Sequence, residues 1–302
     1  MLMLIPKPGA QTFSNSRPIS LLEAPLKVVT RIVNNRLTHA LLDAAYFSAV
    51  QFGFLPGRGC SDPFHALLSC IEDAKSRNLP LHLCLVDLEK AFDSLERWSL
   101  RKSYQRAGIN AHDVQFLLAL DGTGSVKIIT PFGLTKPTKV KRGVRQGECL
   151  SSTKFIVWLE PWLQHIAATY PKIGYTLPDG TRILLLCFAD DVAILTSNHE
   201  DMQTIMTSLC AFLSYHGVTI SQTKTVYTSR STIRLPLTAR IFSRDSTPAN
   251  IYHRTVDIEH HPANKVIKYL GGGLSLDLDW ANIFASTDSA ITMDLKPCWL
   301  PT

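Results

Sequence analysis

The spacing of hydrophobic and polar residues predicts helices near the start of the chain. Apolar residues recur at helical spacing from Leu26 to Leu41, which predicts an amphipathic helix over about 22–42. A second helix is predicted where Ser61 or Asp62 is suited to be its N-cap. Both helices present one apolar face, so each is expected to pack against a core.

Three short apolar runs next to acidic residues predict buried strands. The run from Leu81 to Val86 is typical of a buried strand and is followed by Asp87, and a helix through Leu95, Trp98 and Tyr104 is expected to follow. Residues 182–188 and 192–196 form the other two runs, which are separated by Ala189-Asp190-Asp191. This pattern predicts a hairpin with two acids at its turn.

The remaining elements complete an alternating order. They are strands over 125–130 and 134–140, a long helix capped by Ser151 or Ser152, a helix near 200–215, a strand pair near 218–228 and a strand ending at Leu270. Residues 230–262 show little periodicity. The order predicts an α/β or α+β domain with acidic groups at strand ends and turns.

Composition and cysteine usage narrow the class of protein. Hydrophobic residues make up 45% of the 302 residues and charged residues 19%, the balance of a folded globular protein. The seven cysteines include no Cys-x-x-Cys pair, which argues against a zinc ribbon or a redox motif. The apolar start is too short for a signal peptide or a membrane span. We therefore expect a soluble intracellular protein without a membrane partner, in either the nucleus or the cytoplasm.

Basic residues are concentrated in three segments. The net charge of +6 permits a polyanionic partner without demanding one. The basic residues of these segments are Lys7, Arg17, Lys27, Arg31 and Arg36; Lys136, Lys139, Lys141, Arg142 and Arg145; and Lys224, Arg230, Arg234, Arg240 and Arg244. Any one segment is readily explained as a solvated face, but the three together favour a phosphate-rich partner.

Three acids are candidates for a metal-dependent site. Asp87 alone is equally typical of a helix N-cap, and Asp190-Asp191 alone of an ordinary turn. Adjacent carboxylates on a stiff hairpin repel each other unless cations neutralise them. Together with Asp87 they fit a site for two cations that clamps the attacking and leaving oxygens of a phosphoryl transfer.

A glycine-containing basic loop is the third candidate segment. Lys141-Arg-Gly-Val-Arg-Gln-Gly147 combines three cations with two glycines, which suits the approach of a nucleotide to the backbone. The alternative is a simple basic turn before the long helix.

These segments resemble reverse transcriptases, most closely those of non-LTR (LINE-like) retrotransposons. The motifs that carry the resemblance, in order, are Ile5-Pro-Lys-Pro-Gly9, Arg17-Pro-Ile-Ser20, Gln51-Phe-Gly-Phe54, Asp87-Leu-Glu-Lys-Ala-Phe-Asp93, Arg142-Gly-Val-Arg-Gln-Gly147, Phe188-Ala-Asp-Asp191, Lys224-Thr225 and Lys268-Tyr-Leu-Gly271. The chain departs from the family at Glu148-Cys149, where Asp-Pro is usual.

The resemblance implies a right-hand polymerase fold and a role for each motif. Asp87, Asp190 and Asp191 would be catalytic and would bind two Mg²⁺ ions, with Mn²⁺ as a substitute. The residues implied in substrate binding are Phe92 beneath the sugar, Gln146 and Gly147 in the nucleotide pocket, Lys7 and Arg17 at the triphosphate, and Lys224 near the leaving phosphate. The implied partners are an RNA template, a DNA primer and deoxynucleoside triphosphates (dNTPs).

The expected organisation is a palm with partial fingers and a truncated thumb. We assign residues 1–274 to fingers and palm and 275–302 to an incomplete C-terminal remnant. The expected function is RNA-directed DNA polymerase. Two alternatives stay open, an inactive remnant that only binds nucleic acid and a metal-dependent phosphohydrolase.

Overall fold

Helices surround the sheets in the computed structural model, which describes residues 1–6, 16–120, 125–130, 132–140, 142–231, 234–244 and 251–285, with no side chains for 242–244 and 251–253. The helices whose two ends lie within these ranges are α1 (Ala24–Asp43), α2 (Ser61–Ser76), α3 (Ala91–Ser94), α4 (Arg97–Arg106), α5 (Ala111–Leu120), α6 (Cys149–Thr169) and α7 (His199–His216). Residues 280–285 are also helical. None of the helices in this part of the chain has the length and apolar character needed to cross a membrane.

The strands form one central sheet and several smaller ones. In chain order they are β1 (Leu2–Pro6), β2 (Ser16–Ser20), β3 (His82–Val86), β4 (Ser125–Val126), β5 (Ile128–Thr130), β6 (Gly133–Leu134), β7 (Thr138–Lys139), β8 (Tyr175–Thr176), β9 (Arg182–Ile183), β10 (Leu185–Phe188), β11 (Asp191–Thr196), β12 (Val226–Ser229), β13 (Leu237–Arg244), β14 (Ile251–Ile258), β15 (His260–His261), β16 (Ile267–Tyr269) and β17 (Gly272–Leu274). The central sheet has the order β10-β11-β3-β12-β15, and only β12 and β15 pair in parallel.

The central sheet separates two hydrophobic cores. Along β3, Cys84 and Val86 point into a core shared with α6 and α7, whereas Leu83 and Leu85 point into a core shared with α2. Side chains alternate between the faces of a strand, so a strand covered on both faces is mostly apolar. That tendency explains the composition of 81–86, where His82 is the polar exception and its Nδ1 atom lies 2.7 Å from the Tyr227 hydroxyl oxygen.

A second sheet lies beside the first core. Its strand order is β2-β1-β5-β6, and β1 pairs antiparallel with β2. The Ser20 backbone N–H donates to the Gln146 carbonyl oxygen over 2.8 Å, which joins this sheet to the loop before α6. Helix α1 packs against α6 behind that loop.

Several predicted elements are confirmed, and others are corrected. Helix α1 confirms the helix predicted over 22–42. The single helix expected after Asp87 is interrupted, because Leu95 is extended between α3 and α4. The long helix begins at Cys149 with Glu148 at its N-cap, so the predicted serine caps at Ser151 or Ser152 are wrong.

Two further corrections concern the segments after α7. Only Val226–Ser229 forms a strand where a pair was expected near 218–228, and Ile220 makes an isolated bridge to Leu88. The long hairpin β13–β14 lies in the segment that showed little periodicity. One face of the hairpin packs on α7, with Leu237, Ala239 and Val256 buried.

The domain boundary at residue 274 stays a prediction. Leu274, Leu276 and Leu278 are all buried in the core shared with α2. Residues 286–302 lie outside the described residues.

A buried carboxyl group on α6 fastens the loop that precedes α2. Glu160 has no exposed surface and accepts a hydrogen bond from the Ser48 backbone N–H over 2.8 Å. Burial raises its pKa to about 7, although the hydrogen bonds from Ser48 oppose that shift. Arg58 donates to the Ser48 carbonyl oxygen over 3.1 Å and also to the Gln51 carbonyl oxygen.

Glu160 predicts a pH-dependent difference in stability between the parent and Glu160→Gln. The unfolded carboxyl has a pKa near 4.5 and the folded one about 7, so the folded parent loses stability as the pH rises between these values. Gln has no such titration. Denaturant unfolding should show the variant gaining up to roughly 3 kcal/mol relative to the parent between pH 4.5 and pH 8. A difference that does not change with pH would contradict the burial of an ionisable group here.

Candidate active site

The register of the central sheet brings the three predicted acids to one edge. Val86, the last residue of β3, pairs with Val192 of β11, so Asp87 lies one step further along, opposite Asp191. Asp190 occupies the turn between β10 and β11. Ala189 before it has φ 55°, the left-handed conformation that closes this two-residue turn. The predicted hairpin with acids at its turn is confirmed.

Burial and neighbouring carboxylates raise the pKa values of Asp190 and Asp191. The pKa of Asp191 is raised to about 6, first by desolvation and then by the carboxylates of Asp190 and Asp87. The pKa of Asp190 is also raised, by desolvation and then by Asp87. Asp191 nevertheless retains an exposed side chain. A cation at this edge would relieve the repulsion.

Lys224 stands beside Asp87. Strand β12 pairs antiparallel with β3, and its lead-in residue Thr225 accepts a hydrogen bond from the Asp87 backbone N–H over 3.3 Å. This places the Lys224 Nζ atom 3.5 Å from the Asp87 Oδ2 atom. With 60% of its side chain exposed, Lys224 can move between Asp87 and a ligand.

A cleft of about 820 Å³ opens in front of the acids. The predicted site residues that line it are Asp87, Asp190, Phe92, Gln146, Gly147, Arg17 and Lys224. Asp191 lies outside the lining, and Lys7 lies outside the described residues. The cleft therefore gathers motifs that are far apart in the sequence.

The basic loop that carries Arg142, Arg145 and Gln146 is hydrogen-bonded to the turn that follows Asp87. The Val144 backbone N–H donates to the Phe92 carbonyl oxygen over 2.8 Å. Gly143 has φ +86°, and a Cβ atom there would lie 2.8 Å from the Asp93 carbonyl oxygen. The Gln146 Nε2 atom donates to both carboxylate oxygens of Asp93, over 3.1 and 3.2 Å. These contacts fix Gln146 at the cleft.

Phe92 is half-buried between the cleft and the core. Its ring stacks on Phe155 of α6, with centroids 5.0 Å apart and an interplanar angle of 26°. One side of the ring is thus supported by the core while the residue still lines the cleft. A ring held in this way can act as a fixed wall.

All three basic segments contribute to the same cleft. Arg17 comes from the first, Arg142 and Arg145 from the second and Lys224 from the third, and Lys90 joins them from the turn after Asp87. Cations from separate segments meeting in one concave surface are typical of a phosphate-binding site.

Comparison with known proteins decides the family. The model of the family described as "Reverse transcriptase (RNA-dependent DNA polymerase)" matches residues 5–274, which is most of the chain. The chain belongs to the reverse transcriptase family. The resemblance read from the sequence motifs is confirmed.

The similar curated proteins come from retrotransposons. The uncharacterized 149 kDa protein of transposon TX1 from Xenopus laevis is 25% identical over 278 residues, which cover 92% of this chain and 20% of that protein. The Pol polyprotein of the type-1 retrotransposable element R2 from Popillia japonica is 28% identical, over 74% of this chain and 31% of that protein. The reverse transcriptase chain thus spans a fifth to a third of the length of these relatives.

Solved structures agree on the fold. Telomerase from Candida tropicalis in complex with a fragment of telomeric RNA superposes with a TM-score of 0.57 and 13% identity, covering 92% of this chain and 44% of that one. The apo telomerase truncated from its C-terminal domain gives a TM-score of 0.54 at 14% identity, with coverage of 92% and 53%. The expected α/β right-hand polymerase fold is confirmed.

The donor atoms of the reverse transcriptase cleft suit a hard cation, although they do not form a closed cage. Carboxylate oxygens are the ligands that Mg²⁺ prefers, and the pKa values of Asp190 and Asp191 are raised by burial and then by the neighbouring carboxylates. No group of three or more His, Cys, Asp or Glu side chains converges into a metal site in the described part of the chain. Mg²⁺ usually combines one or two carboxylates with water and substrate phosphates, so the residues fit such an ion.

Sequence reasoning missed three residues of the reverse transcriptase site. Asp93 holds Gln146, Lys90 lines the cleft, and Gln51 contacts the acidic turn from behind. Asp93, Lys90 and Gln51 all lie inside motifs that were recognised, so their sequence positions were the available signal. Lys90 has φ 50°, and nothing in the sequence indicates that conformation.

Proposed function

We propose that this reverse transcriptase domain synthesises DNA on an RNA template by adding nucleotides from dNTPs to a primer 3′-hydroxyl. The proposal rests on one observation: Asp87 and Asp190 line the same cleft as five basic side chains. A site of this composition can hold a triphosphate and stabilise charge on a phosphorus centre.

The acids supply the chemical centre of the proposal. Asp87, Asp190 and Asp191 would hold two divalent ions, with Mg²⁺ preferred and Mn²⁺ as a substitute. Bound there, such ions would stabilise the negative charge on the attacking and leaving oxygens. Asp87 is fixed for this role, because its backbone carbonyl accepts from the Ser221 N–H over 2.8 Å and its own N–H is also bonded.

The remaining residues orient the nucleotide. Arg17 on β2 and Lys224 beside β12 both line the cleft and would contact the triphosphate and the leaving pyrophosphate. Gln146 and Gly147 would line the nucleotide pocket, and the supported ring of Phe92 would lie beneath the sugar. Lys7 would also contact the triphosphate, and this role is supported only by the sequence motif in which Lys7 lies. We place this activity inside the cell, where RNA templates and dNTPs occur.

A product assay tests the proposal against its two alternatives. The purified chain is given an RNA template, a labelled DNA primer, dNTPs and Mg²⁺. The proposal predicts a longer primer with release of pyrophosphate. Release of inorganic phosphate without extension would indicate a phosphohydrolase, and primer-template binding with neither product would indicate a nucleic-acid binder. Either of those results would overturn the proposal.

Phe92→Val is expected to relax the choice of sugar. A ring beneath the sugar excludes a 2′-hydroxyl by filling its space, and Val leaves that space open. The ratio of ribonucleotide to deoxyribonucleotide incorporation should rise roughly tenfold or more, measured as kcat/KM for single additions. Phe116→Val is the matched control, because Phe116 is 45% exposed on α5 and lies outside the cleft. An unchanged ratio in Phe92→Val would show that Phe92 is only a core residue.

A further inference from the structure

The loop between α1 and α2 runs along the edge of the β10–β11 hairpin, which carries Asp190 and Asp191. The Phe52 N–H donates to the Cys187 carbonyl oxygen over 2.7 Å, and the Cys187 N–H donates to the Val50 carbonyl oxygen over 2.9 Å. Gln51 thereby forms a parallel bridge with Cys187 of β10. The loop extends the central sheet next to the turn that carries Asp190.

The side chain of Gln51 reaches the turn itself. It is fully buried, and its Oε1 atom accepts hydrogen bonds from the Ala189 N–H over 3.1 Å and from the Gly53 N–H over 2.8 Å. Ala189 has φ 55°, a conformation that an L-residue keeps only when its surroundings hold it. The bond therefore secures the residue immediately before Asp190.

Gly53 permits this close approach. A Cβ atom at Gly53 would lie 2.4 Å from the Ala189 nitrogen and 3.0 Å from the Phe188 carbonyl carbon. Both are backbone atoms, which could not move without displacing the turn. The Gln51–Gly53 segment and the acidic turn are thus packed backbone against backbone.

The loop is also held from its other side. Arg58 donates to the Ser48 carbonyl oxygen over 3.1 Å and to the Gln51 carbonyl oxygen, and Glu160 accepts from the Ser48 N–H over 2.8 Å. Since its backbone is anchored to α6, the Gln51 oxygen has a defined position relative to the turn. A group that orients a functional residue works best on such a rigid frame.

The Nε2 atom of Gln51 indicates that packing alone does not explain why this position holds an amide side chain. The Nε2 atom is buried and has no hydrogen-bond partner within the described residues. An unsatisfied buried donor costs free energy, so an apolar side chain of equal size would be favoured if only the volume mattered. The two bonds accepted by Oε1 supply the reason for an amide.

We infer that Gln51 is a positioning residue that holds the Ala189–Asp191 turn in the geometry needed for nucleotide addition. The inference rests on the proposed function. Gln51 does not line the cleft and touches no reacting atom. It acts through the Ala189 N–H, and the consequence is a fixed direction for the Asp190 and Asp191 carboxylates.

Two substitutions at Gln51 test the inference. Gln51→Met keeps the length of the side chain and removes the acceptor, whereas Gln51→Glu keeps an oxygen acceptor. Gln203→Met is the matched control, because Gln203 donates to the Thr238 carbonyl oxygen over 2.7 Å and accepts from the Thr238 N–H over 2.9 Å, outside the cleft. The readouts are amide hydrogen exchange across residues 185–191 and single-nucleotide kinetics.

Gln51→Met should speed exchange across residues 185–191 by about tenfold or more, with little change in the remainder of the domain. It should also lower kcat by roughly tenfold to a hundredfold and change the KM for dNTPs much less. Gln51→Glu keeps the acceptor but adds a buried carboxyl group near Asp190, so its exchange and its kcat should lie between those of the parent and of Gln51→Met. Gln203→Met should alter exchange only near β13 and leave kcat unchanged.

Three results would overturn the inference. They are unchanged exchange across residues 185–191 in Gln51→Met, a uniform rise over the whole domain that marks a merely structural role, and identical behaviour of the Met and Glu variants. A parent chain without polymerase activity would instead refute the proposed function. The exchange measurement would then still decide whether Gln51 holds the turn.

Discussion

Replacing Asp190 with Asn is expected to lower the rate of nucleotide addition by roughly a thousandfold, or about 4 kcal/mol in the barrier. Asn preserves the size of the side chain and removes the charge that would hold a cation. The fold should survive, because the substitution relieves repulsion that raises the pKa values of Asp190 and Asp191. Single-turnover primer extension and thermal unfolding together measure both effects.

Asp179→Asn is the control for this substitution. Asp179 lies between β8 and β9, outside the cleft, and accepts hydrogen bonds from the Thr181 N–H and hydroxyl. The control should extend primers at the parent rate. Extension by Asp190→Asn at that rate would remove Asp190 from the proposed chemistry.

Gly143→Ala is expected to lower kcat/KM for dNTPs by about a hundredfold. A Cβ atom at Gly143 would lie 2.8 Å from the Asp93 carbonyl oxygen and 2.9 Å from the Asp93 Cα atom, so the loop must move off the turn that follows Asp87. That movement displaces Gln146 and breaks the hydrogen bond from the Val144 N–H to the Phe92 carbonyl oxygen. Steady-state kinetics with a varied dNTP concentration measures the loss.

Gly180→Ala separates this clash from backbone strain. Gly180 has φ +85°, close to the +86° of Gly143, but a Cβ atom there would meet nothing within 4 Å. Both variants should lose about 1 kcal/mol of stability from an L-residue at positive φ. Only Gly143→Ala should lose activity, and equal activity in the two variants would contradict the coupling between the loop and the turn.

The acids at the strand ends could be predicted because their signal is local. A strand that is buried on both faces is mostly apolar, so its end is visible in the sequence, and Asp87 follows the apolar residues Leu83–Val86. The turn at Ala189–Asp191 is likewise bounded by two apolar runs. Their common location depends on the pairing of Val86 with Val192, which is a tertiary contact and which only the family resemblance could suggest.

Other features could not be predicted from local patterns. The β13–β14 hairpin buries Leu237, Ala239 and Val256 against α7, but the alternation of apolar and polar residues is regular only over residues 237–241 and 256–258. Helix α6 begins before the serines, at Cys149, and the N–H of its N-cap Glu148 donates to the Arg145 carbonyl oxygen over 3.3 Å. Backbone contacts of this kind, like the bond between Gln51 and Ala189, leave no periodic trace in the sequence.

The central claim is that the cleft directs DNA synthesis from an RNA template. The most direct measurement is single-nucleotide addition to a DNA primer on four RNA templates that differ only in the next unpaired base, with all four dNTPs and Mg²⁺ present. The account predicts that the added nucleotide changes with the template and is complementary to it each time. Addition that is independent of the template base, or no addition on any of the four templates, would contradict the account.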